Sequence, residues 1–110
     1  MAYDEDMADR VREVVYGLSG LHEKKMFGGL AWMLDGNMAV AMGGGGDLLI
    51  RVGRDGYEAA LAEPGAVEAV MGTRVMRGWV EVPKSACEDP AELAAWVGRG
   101  VAYARSLDPK

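Results

Sequence analysis

The chain has 110 residues, with 17 acidic and 12 basic side chains, one histidine, one cysteine and a formal charge of −5. This length is typical of one domain, since soluble domains cluster at roughly 100–150 residues, and we predict a single domain over residues 1–110. Half of the residues are apolar and 26% are charged, which excludes an intrinsically disordered chain. A single cysteine excludes an internal disulfide framework and a cysteine-rich zinc site.

The charge is distributed unevenly along the chain. It is −3 over residues 1–22, −2 over residues 23–82 and zero over residues 83–110, so no segment is basic. Because duplex binding needs clustered Lys and Arg, direct binding of nucleic acid is not expected. No run approaches the roughly 18 apolar residues of a membrane helix, and the first nine residues carry four acids and no base, unlike a secretory signal. We therefore expect a cytoplasmic protein without a membrane segment.

The first segment has the apolar period of a helix. Its stripe recurs every three to four residues, at Met7, Val11, Val14, Val15 and Leu18. The acids Asp4, Glu5 and Asp6 suit the first turn, where the helix dipole favours negative charge. Gly17 and Gly20 are predicted to end the helix, because glycine readily takes the left-handed conformation.

Strand-like segments follow, at 24–27, 29–34, 38–42 and 48–52. Asp35-Gly36-Asn37 has the composition of a tight hairpin turn. Gly43–Gly46 could suggest a phosphate-binding loop, but strand-like residues flank it on both sides and no Gly-Lys-Ser/Thr follows, so we interpret it as a hairpin loop. In the last of these strands Arg51 alternates with Ile50 and Val52.

The second half of the chain begins with a short helix around Tyr57 and Leu61, ended by Pro64-Gly65. Residues 67–71 and 75–82 are predicted strands. A last helix starts at Asp89, an N-cap residue followed by Pro90. The predicted fold class is therefore α+β with a single antiparallel sheet packed with helices, in the order α-β-β-β-α-β-β-α.

Residues that catalyse reactions or bind metals are few. His22 is the only histidine, and Cys87 lies among acids that raise rather than lower a thiol pKa, so we interpret both as surface or junction residues. The carboxylates are accounted for by helix starts, caps and turns. We predict no catalytic, cofactor-binding or metal-binding residues. Most of the strand methionines are expected to fill the core.

One group of polar and aromatic residues suggests an interaction surface. Arg and Trp are enriched at protein interfaces, and a sheet face left free by the helices would bring such residues together. The predicted surface consists of Lys24, Lys25, Arg51, Arg77 and Trp79. The alternative interpretation is an ordinary solvated sheet face.

Five segments together resemble the N-terminal domain of the TfoX/Sxy family: residues 24–30, 35–38, 49–52, 76–80 and 94–104. The resemblance extends from about Tyr3 to Leu107. Its most specific element is a set of residues that we expect to be structural: Met26, Phe27, Gly28, Gly29, Asp35 and Gly36. We expect Phe27 to anchor the core and the two glycines to allow a bulge or a close backbone approach.

The resemblance implies a domain of natural-competence regulators, which act in transcription with a cyclic-AMP receptor protein. In those regulators a helical C-terminal domain follows, whereas this sequence ends at Lys110, so we expect a stand-alone version. No catalytic residue is carried over from the family.

The leading hypothesis is a non-enzymatic regulatory or protein-interaction module without cofactors. Its partner would be a protein of the transcription machinery, and an open sheet edge would also allow a homodimer. The alternative is a small-molecule-binding domain or an unrecognised enzyme, with a pocket between sheet and helices near His22, Arg51 and Trp79. A third hypothesis, direct nucleic-acid binding, would need a dimer that gathers Arg51, Arg74 and Arg77.

Overall fold

The computed structural model describes residues 3–26 and 28–110. They form three α-helices, six strands and one 3₁₀ turn, Lys84–Cys87. The helices are α1 (Glu5–Val15), α2 (Gly53–Leu61) and α3 (Pro90–Arg105). The strands are β1 (Leu21–Met26), β2 (Gly29–Leu34), β3 (Asn37–Met42), β4 (Leu48–Arg51), β5 (Val67–Met71) and β6 (Arg74–Val82).

The six strands form one antiparallel sheet in the order β1-β2-β3-β4-β6-β5. Side chains from all three helices join a single core with one face of this sheet. The strand residues in that core include Leu30, Trp32, Val40, Met42, Leu48, Ile50, Val80 and Val82. The predicted α+β class with a single antiparallel sheet is confirmed. The segments at 24–27 and 29–34, counted as one strand in the predicted order, correspond to two separate strands, β1 and β2.

Side-chain caps begin the first and last helices. The Asp4 carboxylate accepts a hydrogen bond from the Met7 amide at 3.0 Å, and Asp89 accepts one from the Ala91 amide at 2.8 Å. Each cap satisfies an amide that has no partner within its helix. In α3, Gly100 lies so close to the Ala39 carbonyl that a side chain would clash with it, whereas Gly98 faces open space.

Three residues of the expected structural set, Gly29, Asp35 and Gly36, occupy restricted backbone positions in the first two hairpins. Asp35 and Gly36 both have positive φ, 52° and 85°, as a type I′ turn between β2 and β3 requires. Gly29 begins β2 against the carbonyl of Met42 in β3, with no room for a Cβ atom. The close approach predicted for the glycine pair is confirmed at Gly29. The prediction for Phe27 lies outside the described residues.

Two expectations about burial are wrong. Of the strand methionines only Met42 lies in the core; Met33 and Met38 pair with each other on the sheet face opposite the helices and are half-buried. Cys87, expected at the surface, is fully buried, because the 3₁₀ turn Lys84–Cys87 brings it into the core.

Within the described part of the chain, no helix has the length and hydropathy needed to cross a membrane.

Candidate protein-interaction site

A groove of about 580 Å³ lies between the start of α2 and the β5–β6 hairpin. Its lining is arginine, aliphatic and aromatic, with no acidic side chain. We call it the arginine groove, and define it by the residues Arg54, Met71, Arg74, Val75, Met76, Arg77 and Trp79. It combines concentrated positive charge with apolar contact surface.

Two glycines bring the elements of the arginine groove together. Gly78 has a φ of 95°, a conformation that glycine adopts without strain, and its carbonyl accepts the Val52 amide at 2.8 Å. A Cβ atom at Gly78 would lie 3.5 Å from the backbone of Gly53. The first residues of α2 are therefore held against β6, which places Arg54 beside Trp79.

The arginines of the groove have no carboxylate partner among residues 3–26 and 28–110. Arg54, Arg74 and Arg77 are exposed and take part in none of the ion pairs found there, which involve Arg12, Arg99 and Lys84 instead. With these three arginines counted apart, the rest of the chain carries a formal charge of −8. A concentrated positive site thus lies on a protein that is otherwise acidic.

Glu68 is an acidic residue close to the groove, and its carboxylate accepts a hydrogen bond from the Tyr57 hydroxyl at 3.4 Å. Desolvation and the charge of Glu68 raise the pKa of Tyr57, while the positive charge of Arg77 opposes that rise. Arg77 therefore lies within electrostatic range of this pair, but makes no hydrogen bond or ion pair with either residue in the described structure.

Arg51 is fixed by contacts inside the protein. It is the register partner of Trp79, and its guanidinium carbon lies 5.9 Å from the Trp79 ring centroid and 5.4 Å from that of Tyr103. It also donates to the Met38 carbonyl at 3.4 Å. Cation–π contacts at these distances are stabilising, so Arg51 supports the position of Trp79 from outside the groove lining.

The structure brings together only part of the predicted surface. Arg77 and Trp79 line the arginine groove and Arg51 supports it, whereas Lys24 and Lys25 are exposed on β1, at the opposite edge of the sheet. Sequence reasoning did not assign Arg54, Met71, Arg74 and Met76 to this surface. A usable signal was the pair Arg74 and Arg77, which flank Val75 and Met76 just before Gly78.

The pocket of the alternative hypothesis is not assembled from its predicted residues. His22 lies on β1, while Arg51 and Trp79 lie on β4 and β6, three and four strands away. A cavity of about 380 Å³ does exist between α2 and α3, lined in part by Val52, Ala59 and Tyr103.

His22 and Cys87 do not form a reactive pair. His22 is exposed on β1, whereas Cys87 is in the core beside α1, where Arg10 donates to its carbonyl at 2.6 Å. Burial raises the pKa of the Cys87 thiol, which disfavours the nucleophilic thiolate. Over the residues that the structure describes, no three His, Cys, Asp or Glu side chains converge as metal ligands.

These features define a small α+β domain, with a single antiparallel sheet, helices on one face and a basic groove at one end of the sheet. The chain belongs to the TfoX N-terminal domain family, whose model matches residues 13–104. It is thus a domain of the type found in competence regulators. Comparisons with curated proteins and with solved structures find no match.

Proposed function

We propose that this domain is a non-enzymatic protein-interaction module whose binding surface is the arginine groove. The observation that carries the proposal is the group formed by Arg54, Arg74 and Arg77, which have no ion-pair partner in the described structure and line one groove together with Trp79. Arg and Trp are the residue types most often responsible for binding energy at protein interfaces. An open groove that combines both with methionine side chains suits a protein partner.

The proposal is tested by comparing what the wild-type domain and groove variants capture after cross-linking in cell extract. Arg77→Glu reverses a charge in the groove, and Trp79→Ala removes its aromatic surface. Each is expected to lose a partner that the wild-type domain retains.

The matched control is Lys24→Glu, which makes the same charge change on an exposed strand at the opposite edge of the sheet. It is expected to retain the partner. Circular dichroism and urea unfolding establish that each variant is folded. Equal capture by the wild-type domain, Arg77→Glu and Trp79→Ala would refute the proposal.

The family supports a regulatory setting for this interaction. In the proposal the partner belongs to the transcription machinery of competence-type regulation, and the protein acts in the cytoplasm. The test is a reporter of a competence promoter, with and without the Arg77→Glu substitution. A reporter that responds equally to both would contradict this assignment.

A homodimer is a further part of the proposal, and the β5 edge favours it. β5 is an edge strand whose Val67, Val70 and Met71 side chains are 52%, 52% and 62% exposed. Edge strands with free backbone groups and apolar side chains pair with other strands. Light scattering would show a dimer for the wild-type chain and a monomer for Val70→Lys; a wild-type monomer would refute the dimer.

The second candidate function, binding of a small molecule, is favoured by the cavity between α2 and α3. A ligand at 100 times its Kd would raise the free energy of unfolding by about 2.7 kcal/mol. A thermal-shift screen of metabolites tests this, with Ala59→Trp as a variant that fills the cavity. A shift that survives this substitution would contradict binding there.

A further inference from the structure

The arrangement of charge in the arginine groove indicates which partner it takes. We infer that the groove binds a short acidic peptide segment in which Asp or Glu side chains flank a bulky apolar residue. This inference rests on the proposed function and specifies the chemistry of the partner.

The charge of the groove is complementary to carboxylates. Arg54, Arg74 and Arg77 present their guanidinium groups in a fork geometry that pairs with carboxylates through two parallel hydrogen bonds. No acid lines the groove, so these arginines gain ion pairs on binding without breaking internal ones in the described structure.

The spacing of the arginines suits an extended chain better than a single small anion. Arg74 and Arg77 are three residues apart in β6, which is about 10 Å at the strand rise of 3.3 Å per residue. Arg54 approaches from a different element, α2. Guanidinium groups that reach one groove from backbone positions this far apart are matched by more than one acidic side chain of an extended peptide.

The apolar part of the lining accounts for the flanked bulky residue. Met71 is 62% exposed and Val75 is 38% exposed, and both lie beside Met76 and Trp79. Burying such surface under a leucine or phenylalanine side chain is favourable because it removes apolar area from water. Methionine side chains adapt to partners of different shape.

Nucleic acid is the less favoured occupant. The groove supplies three arginines, whereas the rest of the chain carries a formal charge of −8. A polynucleotide would extend past the groove and meet this negative surface, while a short acidic segment keeps its charge within the groove. Binding of nucleic acid through its phosphates draws its affinity from many neutralising Lys and Arg contacts, and the groove supplies only three arginines.

The experiment is a fluorescence-anisotropy titration with three labelled probes of equal length. The first is a ten-residue peptide of Asp and Glu around a central Leu-Phe pair, the second has Asn and Gln in place of the acids, and the third is a ten-nucleotide oligothymidylate. We expect the acidic peptide to bind about tenfold or more tightly than either of the others, a difference of about 1.4 kcal/mol, and added salt to weaken it.

Variants locate the binding. Arg77→Glu and Arg74→Glu are each expected to weaken the acidic peptide about tenfold, while Lys24→Glu leaves its Kd unchanged. Both arginines are exposed, and matched urea unfolding shows that the fold is intact. The inference is overturned if the neutral peptide binds equally well, if the oligothymidylate binds more tightly, or if the acidic peptide does not bind or is insensitive to both arginine variants.

The other occupant to be tested is a second copy of the chain. Light scattering that shows a dimer dissociated by Arg77→Glu but not by Val70→Lys would place a second copy in the groove and overturn the inference. If the acidic peptide fails while capture from extract still depends on Arg77 and Trp79, the inference fails and the proposed function stands. If capture is also independent of both residues, the two fail together.

Discussion

The ring N–H of Trp32 donates to the carboxylate of Glu23 at 2.9 Å, and joins a buried side chain of β2 to the exposed edge strand β1. Arg12 of α1 binds the same carboxylate through two nitrogens, each at 2.8 Å. The pKa of Glu23 lies below its usual range. The hydrogen bonds from Arg12 are the largest cause, the hydrogen bond from Trp32 adds to them, and together they outweigh partial desolvation of the carboxylate. A single carboxylate thus links the first helix, the edge strand and the core.

Replacing Glu23 separates its charge from its role as an acceptor. Glu23→Ala leaves the buried Trp32 N–H without a partner, and is expected to lower the free energy of unfolding by about 1–3 kcal/mol. Glu23→Gln keeps an acceptor oxygen and is expected to cost less. Urea unfolding of both variants measures the difference, and equal losses would show that the hydrogen bond to Trp32 contributes nothing.

The lowered pKa of Glu23 also predicts a pH dependence. A carboxyl group whose folded pKa lies below its unfolded value contributes stability above the unfolded pKa and loses it as the pH falls towards the folded one. The stability advantage of the wild type over Glu23→Gln should therefore be constant above the ordinary value of 4.5 and shrink below it. Comparison with this variant cancels the contribution of Asp4, whose pKa Lys84 lowers. An advantage that grew on acidification would contradict the assignment.

Two glycines in α3 should respond oppositely to alanine. Gly98 is exposed with no atom near its missing side chain, so Gly98→Ala is expected to stabilise the protein by about 0.5–1 kcal/mol through helix propensity. Gly100→Ala would press a methyl group on the Ala39 carbonyl and is expected to destabilise it by about 1–3 kcal/mol. Thermal unfolding measures both, and stabilisation by both substitutions would show that Ala39 moves aside.

Arg51 and Arg77 should differ in their effect on stability. Arg51→Met removes the cation–π contacts with Trp79 and Tyr103 and is expected to cost about 1 kcal/mol. Arg77→Met, with no hydrogen-bond or ion-pair partner in the described residues, is expected to change stability by less than about 0.5 kcal/mol. Urea denaturation compares them directly. The opposite ranking would mean that Arg77, rather than Arg51, supports the fold.

Cys87 is expected to be inert in the folded protein. Its thiol is buried and its pKa raised by desolvation, so at neutral pH both exclusion of reagent and the protonated state disfavour reaction. An aromatic disulfide reagent should label one thiol per chain in denaturant. In the native protein it should label Cys87 only as fast as local or global unfolding exposes the thiol. Immediate labelling under native conditions would contradict the burial of Cys87.

Much of the fold could be predicted from local sequence patterns. Asp4 and Asp89 are caps with clear positional rules, and Asp35-Gly36 permits few turn types. β1 was harder to delimit because it is an edge strand, and the exposed, polar residues His22–Lys25 give it no apolar alternation. The burial of the strand methionines was predicted wrongly because the alternation of a strand identifies its two faces but not which of them the helices cover.

The groove could be predicted only in part. Arg77 and Trp79 are two residues apart on β6, so their side chains share one face of the strand and their proximity follows from strand geometry. Arg54 joins them through the approach of Gly53 to Gly78, a tertiary contact between segments more than twenty residues apart. The inclusion of Lys24 with Arg51 depended on strand order, which places two strands, β2 and β3, between β1 and β4, and local sequence carries no information on that order.

The two edges of the sheet differ in what they allow the molecule to build. β1 exposes charged side chains along its length, while β5 exposes valine and methionine. Charged edges resist pairing with another strand, which protects β1 more than β5. If the proposed dimer forms through β5, it is self-limiting: two copies joined at that edge would present only their charged β1 edges outward, and the sheet would not extend into a fibre.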